Sequence, residues 1–208
     1  MFIYLQHGGE EFINYCAQFF TRETNNRIKY YQLRDEFNNC PDQKYKAALF
    51  LYLNKHCYNG LCRYNSKGQY NVPFGQYDKP YFPSKEMYYF AEKSKTAEFI
   101  QSDFRQTFAN TREGDLIYCD PPYIPLSLSA NFTAYTNKKF CENDQIELAK
   151  LAKQSATRGI PVIISNHDTD FTRQHYKNSK IISFSVMRLI SCMSRTRQPV
   201  TELIAIFA

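Results

Sequence analysis

Apolar residues recur at three- and four-residue intervals over residues 10–20, 28–37 and 43–58, a spacing that lines one helix face and predicts three amphipathic helices. Residues 1–6 read as helix interior rather than a helix start, because no capping residue precedes them. The periodicity lapses over 59–83, where Tyr, Asn, Gly and Pro dominate. Ser66-Lys67-Gly68, set between two polar-aromatic runs, predicts a hairpin there. Pro83 and Ser84 then open a further helix that runs to Ser94.

From residue 98 onward, short apolar runs alternate with amphipathic stretches. Strands are expected at 98–101, 115–119 and 161–165, with helices at 103–108, 142–158 and 171–178. Residues 181–187 and 201–207 read as the arms of an antiparallel pair. This order predicts an α/β fold, the C-terminal part of a doubly wound sheet ending in a hairpin. Two regions are expected: a helical and hairpin region over 1–97 and a sheet-based region over 98–208. There are no internal repeats or low-complexity tracts.

Composition adds bounds rather than identity. A chain of 208 residues with 43% hydrophobic residues, 17 Phe and 17 Tyr can bury a proper core. A formal charge of +6 leans mildly towards a polyanionic partner. The seven cysteines (Cys16, Cys40, Cys57, Cys62, Cys119, Cys141 and Cys192) form no C-x-x-C pair and have no histidine at ligand spacing. Neither a disulfide framework nor a metal site is expected, and reduced thiols of a cytoplasmic protein fit better. No apolar run reaches membrane-spanning length, and no basic-then-apolar leader follows Met1.

The candidate chemistry sits at Asp120-Pro121-Pro122-Tyr123, directly after the expected strand at 115–119. Ligand and catalytic groups of open α/β sheets gather at the carboxyl ends of strands. Two consecutive prolines fix φ and cannot donate hydrogen bonds, which leaves a stiff turn offering a carboxylate, carbonyl acceptors and an aromatic face. Such a set suits methylation of an exocyclic amine, whose lone pair is delocalised into the ring. Accepting its two N–H bonds, one at the Asp120 carboxylate and one at the Pro121 carbonyl, draws the nitrogen towards tetrahedral geometry and favours its developing positive charge. The competing reading is an ordinary turn after a strand.

The D-P-P-Y tetrapeptide, the run YNGLCRYNSKGQYNVPFGQYDKPYFP at 58–83, SANFTAY at 129–135 and ISNHDT at 164–169 together resemble the Dam-type (D12 class) DNA adenine-N6 methyltransferases, over residues 10–207. The resemblance implies transfer of methyl from S-adenosyl-L-methionine to adenine N6 in duplex DNA, usually in GATC, by a chain that commonly acts as a monomer. It implies a methyltransferase sheet carrying an inserted DNA-recognition region. It assigns catalysis to Asp120, Pro121, Pro122 and Tyr123, with Tyr123 stacking on the extruded base. Cofactor contacts fall to Asp120, Asp103 and Phe104; helix capping explains Asp103 equally well. Arg63 resembles a major-groove arginine reading guanine, and Leu61 and Pro73 resemble apolar contacts to a thymine methyl. Tyr77 resembles a discriminator of the first base pair, and Tyr58 and Asn59 resemble residues that wedge into the duplex or hold the orphaned partner base. His167 and Asp168 read as a capping turn. Lys55, Lys67, Lys79, Lys138 and Lys139 are candidates for phosphate contacts.

The sequence departs from the family's pattern in its cofactor segment. The K-W-x-G-G-K-like stretch, the F-x-G-x-G turn and the ribose-binding acidic residue have no counterpart, and Gly8-Gly9 falls in a helix-to-helix turn. The expectation is an incomplete sheet lacking its first strands, with an unpaired apolar edge at 115–119. This polypeptide is then expected to bind S-adenosylmethionine poorly and to methylate little or not at all. A start at an internal Met, a split gene complemented by a separate N-terminal piece, and a decaying remnant all fit. Ser191-Cys192-Met193-Ser194 also departs from the glycine-bearing loop of many relatives. The alternative function is a catalytically dead DNA-binding remnant.

Overall fold

The structure is a computed structural model and describes residues 1–124, 140–187 and 199–208. The segments 129–135 and 191–194, with Lys138 and Lys139, lie outside the described residues. The chain forms two compact units, Met1–Gln101 and the described residues from Ser102 to Ala208.

The first unit is helical. Helix α1 (Phe2–Ala17) starts at Met1 without a side-chain cap and bends at Gly9, whose φ of 42° and ψ of −123° interrupt it. Helix α2 (Arg27–Asn39) begins where the Asn26 side chain accepts from the Lys29 amide, and α3 (Gln43–His56) where Asp42 accepts from Lys44 and Tyr45. Helix α4 (Ser84–Lys93) completes the set. Leu33 and Phe37 of α2 pack with Leu49, Tyr52 and Leu53 of α3 over Tyr70 and Val72.

The expected hairpin at 59–83 is realised only as two isolated antiparallel bridges, Cys57 to Phe74 and Tyr64 to Tyr70. The first arm turns at Tyr58–Gly60, and the Arg63 guanidinium takes the Asn71 carbonyl that a continuous ladder would use. Asn38 bonds both the amide and the carbonyl of Tyr70, while Tyr30 and Arg34 donate to the Val72 carbonyl. The Tyr70 and Val72 groups point away from the other arm of the hairpin, so these α2 side chains satisfy them where no further strand does. Asn65 and Gly68, at φ 73°, close the turn.

The expected strand at 98–101 does not form. Those residues pair with no strand among the described residues, and an extended segment without a partner makes no sheet.

The second unit is a mixed α/β structure. Helix α5 (Phe104–Ala109) leads to strand β1 (Ile117–Cys119); helix α6 (Glu142–Thr157), strand β2 (Val162–His167) and helix α7 (Asp170–His175) follow. Strands β3 (Lys180–Met187) and β4 (Pro199–Phe207) complete a sheet of order β1-β2-β4-β3. Strand β1 is shorter than expected because Asp115 turns back to accept from the Arg112 amide beside Gly114, at φ 92°. β1 pairs parallel to β2, with Ile117 opposite Val162, and β4 runs antiparallel to both β2 and β3. Among the described residues β1 has a neighbour on one side only, and its Leu116 flank and Tyr118 are exposed.

Period-two alternation sends Leu203, Ala205 and Phe207 of β4 inward. They meet Val162 and Ile164 of β2 and Leu148, Ala149 and Ala152 of α6. Burying each large aliphatic of this set stabilises the unit by roughly 1.5–3 kcal/mol. This core fixes the parallel pair β1 and β2, whose carboxyl ends emerge side by side.

Candidate active site

Asp120 is the first residue beyond β1, and its side chain is exposed at the strand's carboxyl end. It forms no ion pair among the described residues. Its Oδ1 accepts from the Ser165 hydroxyl of β2 at 3.0 Å, and Ser165 in turn accepts from the Tyr118 hydroxyl at 3.3 Å. Ser165 has one proton and a second acceptor, the Cys119 carbonyl at 3.3 Å. The charged carboxylate is the nearer and stronger of the two.

The two proline carbonyls have different fates. That of Pro122 accepts from Gln145 Nε2 at 2.6 Å. That of Pro121 has no partner among the described residues. The turn therefore presents one carboxylate and one unengaged carbonyl, in adjacent residues, at a strand end. Tyr123 is half-buried, meets the His167 ring edge-on at 5.0 Å, and has its hydroxyl pKa raised chiefly by burial. His167 Nδ1 lies 2.6 Å from the Ile124 carbonyl, which can only accept, so Nδ1 carries the proton.

A cleft of about 310 Å³ borders Asp120, Pro121 and Pro122. Phe104, Phe108, Phe140 and Leu148 give it apolar walls, and Ser102 contributes a hydroxyl. Its volume is at the low end for small-molecule sites. Phe104 and Phe140 approach at 5.6 Å between ring centroids, and the Arg105 guanidinium lies over the Phe104 ring. Asp103 is not in the lining. It caps α5 through the Arg105 amide and pairs with the Arg105 guanidinium, as its capping reading expects, with lone pairs to spare. Cys119 also lines the cleft, but burial pushes its thiol up to about 11, so at neutral pH it is protonated and not an activated nucleophile. No cluster of three or more metal-ligating side chains occurs among the described residues.

A larger cleft, about 910 Å³, lies in the first unit against Tyr77, Lys79, Arg22 and His56. Size does not decide between the two. The smaller one alone borders the acceptor pair of Asp120 and Pro121.

The expected DNA-reading residues gather in the first unit. Tyr58, Asn59, Arg63, Pro73 and Tyr77 are exposed, and Leu61 is half-buried. The Tyr58 amide donates to the Pro73 carbonyl and the Asn59 amide to the Tyr77 hydroxyl. Asn59 sits at φ 53°, a left-handed conformation that asparagine tolerates. Gly75 is obligatory here, since a Cβ would lie 2.6 Å from the Cys57 carbonyl oxygen and 2.5 Å from the Tyr77 ring. Arg63 is held by Asn71, whose side-chain oxygen accepts from Nε at 2.8 Å and whose carbonyl accepts from a terminal nitrogen at 3.1 Å.

Asp168 lies in an ion pair with Arg173, at 2.6 Å, and accepts from Ser183; the cap of α7 comes from Thr169. Sequence reasoning gave no role to Ser165, Gln145 or Asn166, although Ser165 and Asn166 lie within the ISNHDT run. The available signal was a polar residue at a buried position: Gln145 falls on the apolar face of α6, and Asn166 lies near the end of buried strand β2.

Known proteins resemble this chain over most of its length. The family model described as D12 class N6 adenine-specific DNA methyltransferase matches residues 1–190. The chain is 48% identical over 199 residues to the DNA adenine methylase of Serratia marcescens, covering 95% of this chain and 74% of that relative. It is 47% identical over 198 residues to the DNA adenine methylase of Escherichia coli (strain K12), with 95% and 71% covered. The corresponding enzyme of Vibrio cholerae serotype O1 is 44% identical over 199 residues, with 95% and 72% covered. The expected inactivity gains no support from the comparisons or from the site, whose acceptors are exposed beside a cleft.

Proposed function

The chain belongs to the D12 class N6 adenine-specific DNA methyltransferase family, and on that premise we propose that it transfers a methyl group from S-adenosylmethionine to adenine N6 in duplex DNA at GATC. The observation that carries the proposal is the exposed Asp120 carboxylate next to a Pro121 carbonyl without a partner among the described residues.

The cleft beside Asp120 fits part of such a donor. Aromatic walls from Phe104 and Phe140 suit a purine ring, and the Ser102 hydroxyl suits its polar edge. S-adenosylmethionine, when bound, supplies an electrophilic methyl group on a sulfonium. The chain's own residues do the rest. Asp120 bounds the cleft as well as holding the target amine. Its carboxylate and the Pro121 carbonyl each accept one N–H, localise the nitrogen lone pair and favour the positive charge that grows on nitrogen. Pro122 stiffens the turn, and Tyr123 offers its ring to the extruded adenine, helping to offset a few kcal/mol of unstacking. Cys119 takes no part, because a protonated thiol is a weak nucleophile.

Sequence reading falls to the first unit. Arg63 reads guanine O6 and N7, Leu61 and Pro73 touch a thymine methyl, Tyr77 checks the first base pair, and Tyr58 with Asn59 enters the duplex. No helix among the described residues is long and apolar enough to cross a membrane. A monomer acting in the cytoplasm accords with a DNA substrate and with the free cysteines.

The test is incorporation of labelled methyl from S-adenosylmethionine into duplexes containing GATC or a single-base variant of it. Incorporation at adenine N6 confined to GATC is expected. Binding of GATC duplex without incorporation would favour the DNA-binding remnant instead.

A further inference from the structure

The turn that presents Asp120 and Pro121 is held from behind by two buried amide side chains, one of them within the ISNHDT run. Gln145 is 3% exposed and Asn166 is fully buried. Gln145 Nε2 donates to the Pro122 carbonyl at 2.6 Å, and its Oε1 accepts from Asn166 Nδ2 at 3.1 Å. Asn166 Nδ2 also reaches the Tyr176 hydroxyl at 3.2 Å. Asn166 Oδ1 accepts from the backbone amides of Ile124, at 3.2 Å, and His167, at 2.9 Å.

These bonds have a direction. Two backbone amides aim at Asn166 Oδ1, so its Nδ2 must face Gln145. That nitrogen requires an oxygen, so Gln145 turns its own nitrogen to Pro122. Amide orientation is passed from β2, through α6, to the turn. With the Pro122 carbonyl, the Ile124 amide and the Ile124 carbonyl all held, little freedom remains for the peptide unit between Pro121 and Pro122. Buried polar groups in a low-dielectric interior are costly when unpaired and rigid when satisfied.

We propose that Gln145 and Asn166 are positioning residues for methyl transfer: they set the orientation of the Asp-Pro-Pro turn, so that the Pro121 carbonyl faces the target amine. Neither touches the amine. The inference rests on the function proposed above, since it concerns the same turn.

Gln145→Met keeps length and bulk but removes the donor, and Asn166→Asp keeps shape but faces Gln145 Oε1 with a second acceptor. Each is expected to lower kcat by about a hundredfold, the scale of a small misplacement at a reacting centre, while KM for GATC duplex stays within about twofold. A binding measurement supplies the second readout. With the target purine opposite an abasic site, the unsubstituted protein should prefer adenine to purine lacking the 6-amino group. Both variants should lose that preference while holding purine duplex as before. Tyr176→Phe removes only the far end of the chain of bonds and should lower kcat several-fold. If melting shows that Gln145→Met and Asn166→Asp do not fold, Tyr176→Phe decides by the same two readouts. Unchanged kcat and unchanged amine preference in every folded variant would overturn the proposal. Failure of the unsubstituted chain to methylate overturns the parent function instead, and the amine preference then tests the positioning role by itself.

Discussion

Ser165 directs its hydroxyl at the Asp120 carboxylate over 3.0 Å, joining the ends of two parallel strands at the point where the chemistry is expected. The bond fixes a side chain that is otherwise exposed and without an ion pair among the described residues. Ser165→Ala should therefore leave the fold and duplex affinity intact but lower kcat roughly tenfold, about 1.4 kcal/mol of barrier. Single-turnover methylation measures this. An unchanged rate would show that Asp120 needs no support.

Arg63 offers its guanidinium from a side chain braced by Asn71. Arg63→Ala is expected to cost about 1–3 kcal/mol of discrimination at one base pair of the site. Competition binding against each single-base variant of GATC reads it out. An equal loss on every sequence would mean that Arg63 holds phosphate instead.

Gly75 is packed against the Cys57 carbonyl and the Tyr77 ring with no room for a methyl group. Gly75→Ala must push backbone from backbone, so a loss of about 1–3 kcal/mol in stability is expected, together with weakened GATC binding. Thermal unfolding and a shift assay check the two effects. A variant that melts like the unsubstituted chain would contradict the close packing.

Asp144 caps α6 and pairs with Arg105 at 2.6 Å. The Arg105 hydrogen bond foremost, then the Cys141 amide, hold its carboxyl down at about 2. A folded pKa below the unfolded value of about 3.9 means that the pair contributes fully above about pH 5 and progressively less as pH falls towards 2. The melting-temperature gap between the unsubstituted chain and Asp144→Asn should therefore shrink from about pH 5 to about pH 2. A gap independent of pH would place the stabilisation in the shape of the cap rather than in its charge.

Much of this architecture was legible in the residues. Helices α3 and α6 follow from apolar spacing, and β2 from a short β-branched run. Asp120 stands out in the sequence because two prolines follow an apolar run, which the structure makes strand β1 with only Ile117 buried. What escaped depends on tertiary pairing. Residues 98–101 look like a strand by composition, but a strand exists only through a partner. The 59–83 hairpin keeps isolated bridges because a turn at Tyr58–Gly60 interrupts one arm and the Arg63 side chain takes the Asn71 carbonyl of the other. Gln145 and Asn166 are separated by one helix and one turn, and their amides meet only after α6 packs on β2. The local hints were a glutamine on an apolar helix face and an asparagine just after the β-branched run.

In the proposed reaction the Asp120 carboxylate and the Pro121 carbonyl together grip the amino group of an extruded adenine. The most direct measurement is the mass of the product nucleosides after the full chain, unsubstituted or Asp120→Ala, has acted on GATC duplex with S-adenosylmethionine. N6-methyladenine from the unsubstituted chain and none from Asp120→Ala, at equal duplex affinity, is the predicted result. Equal N6-methyladenine from both would contradict it.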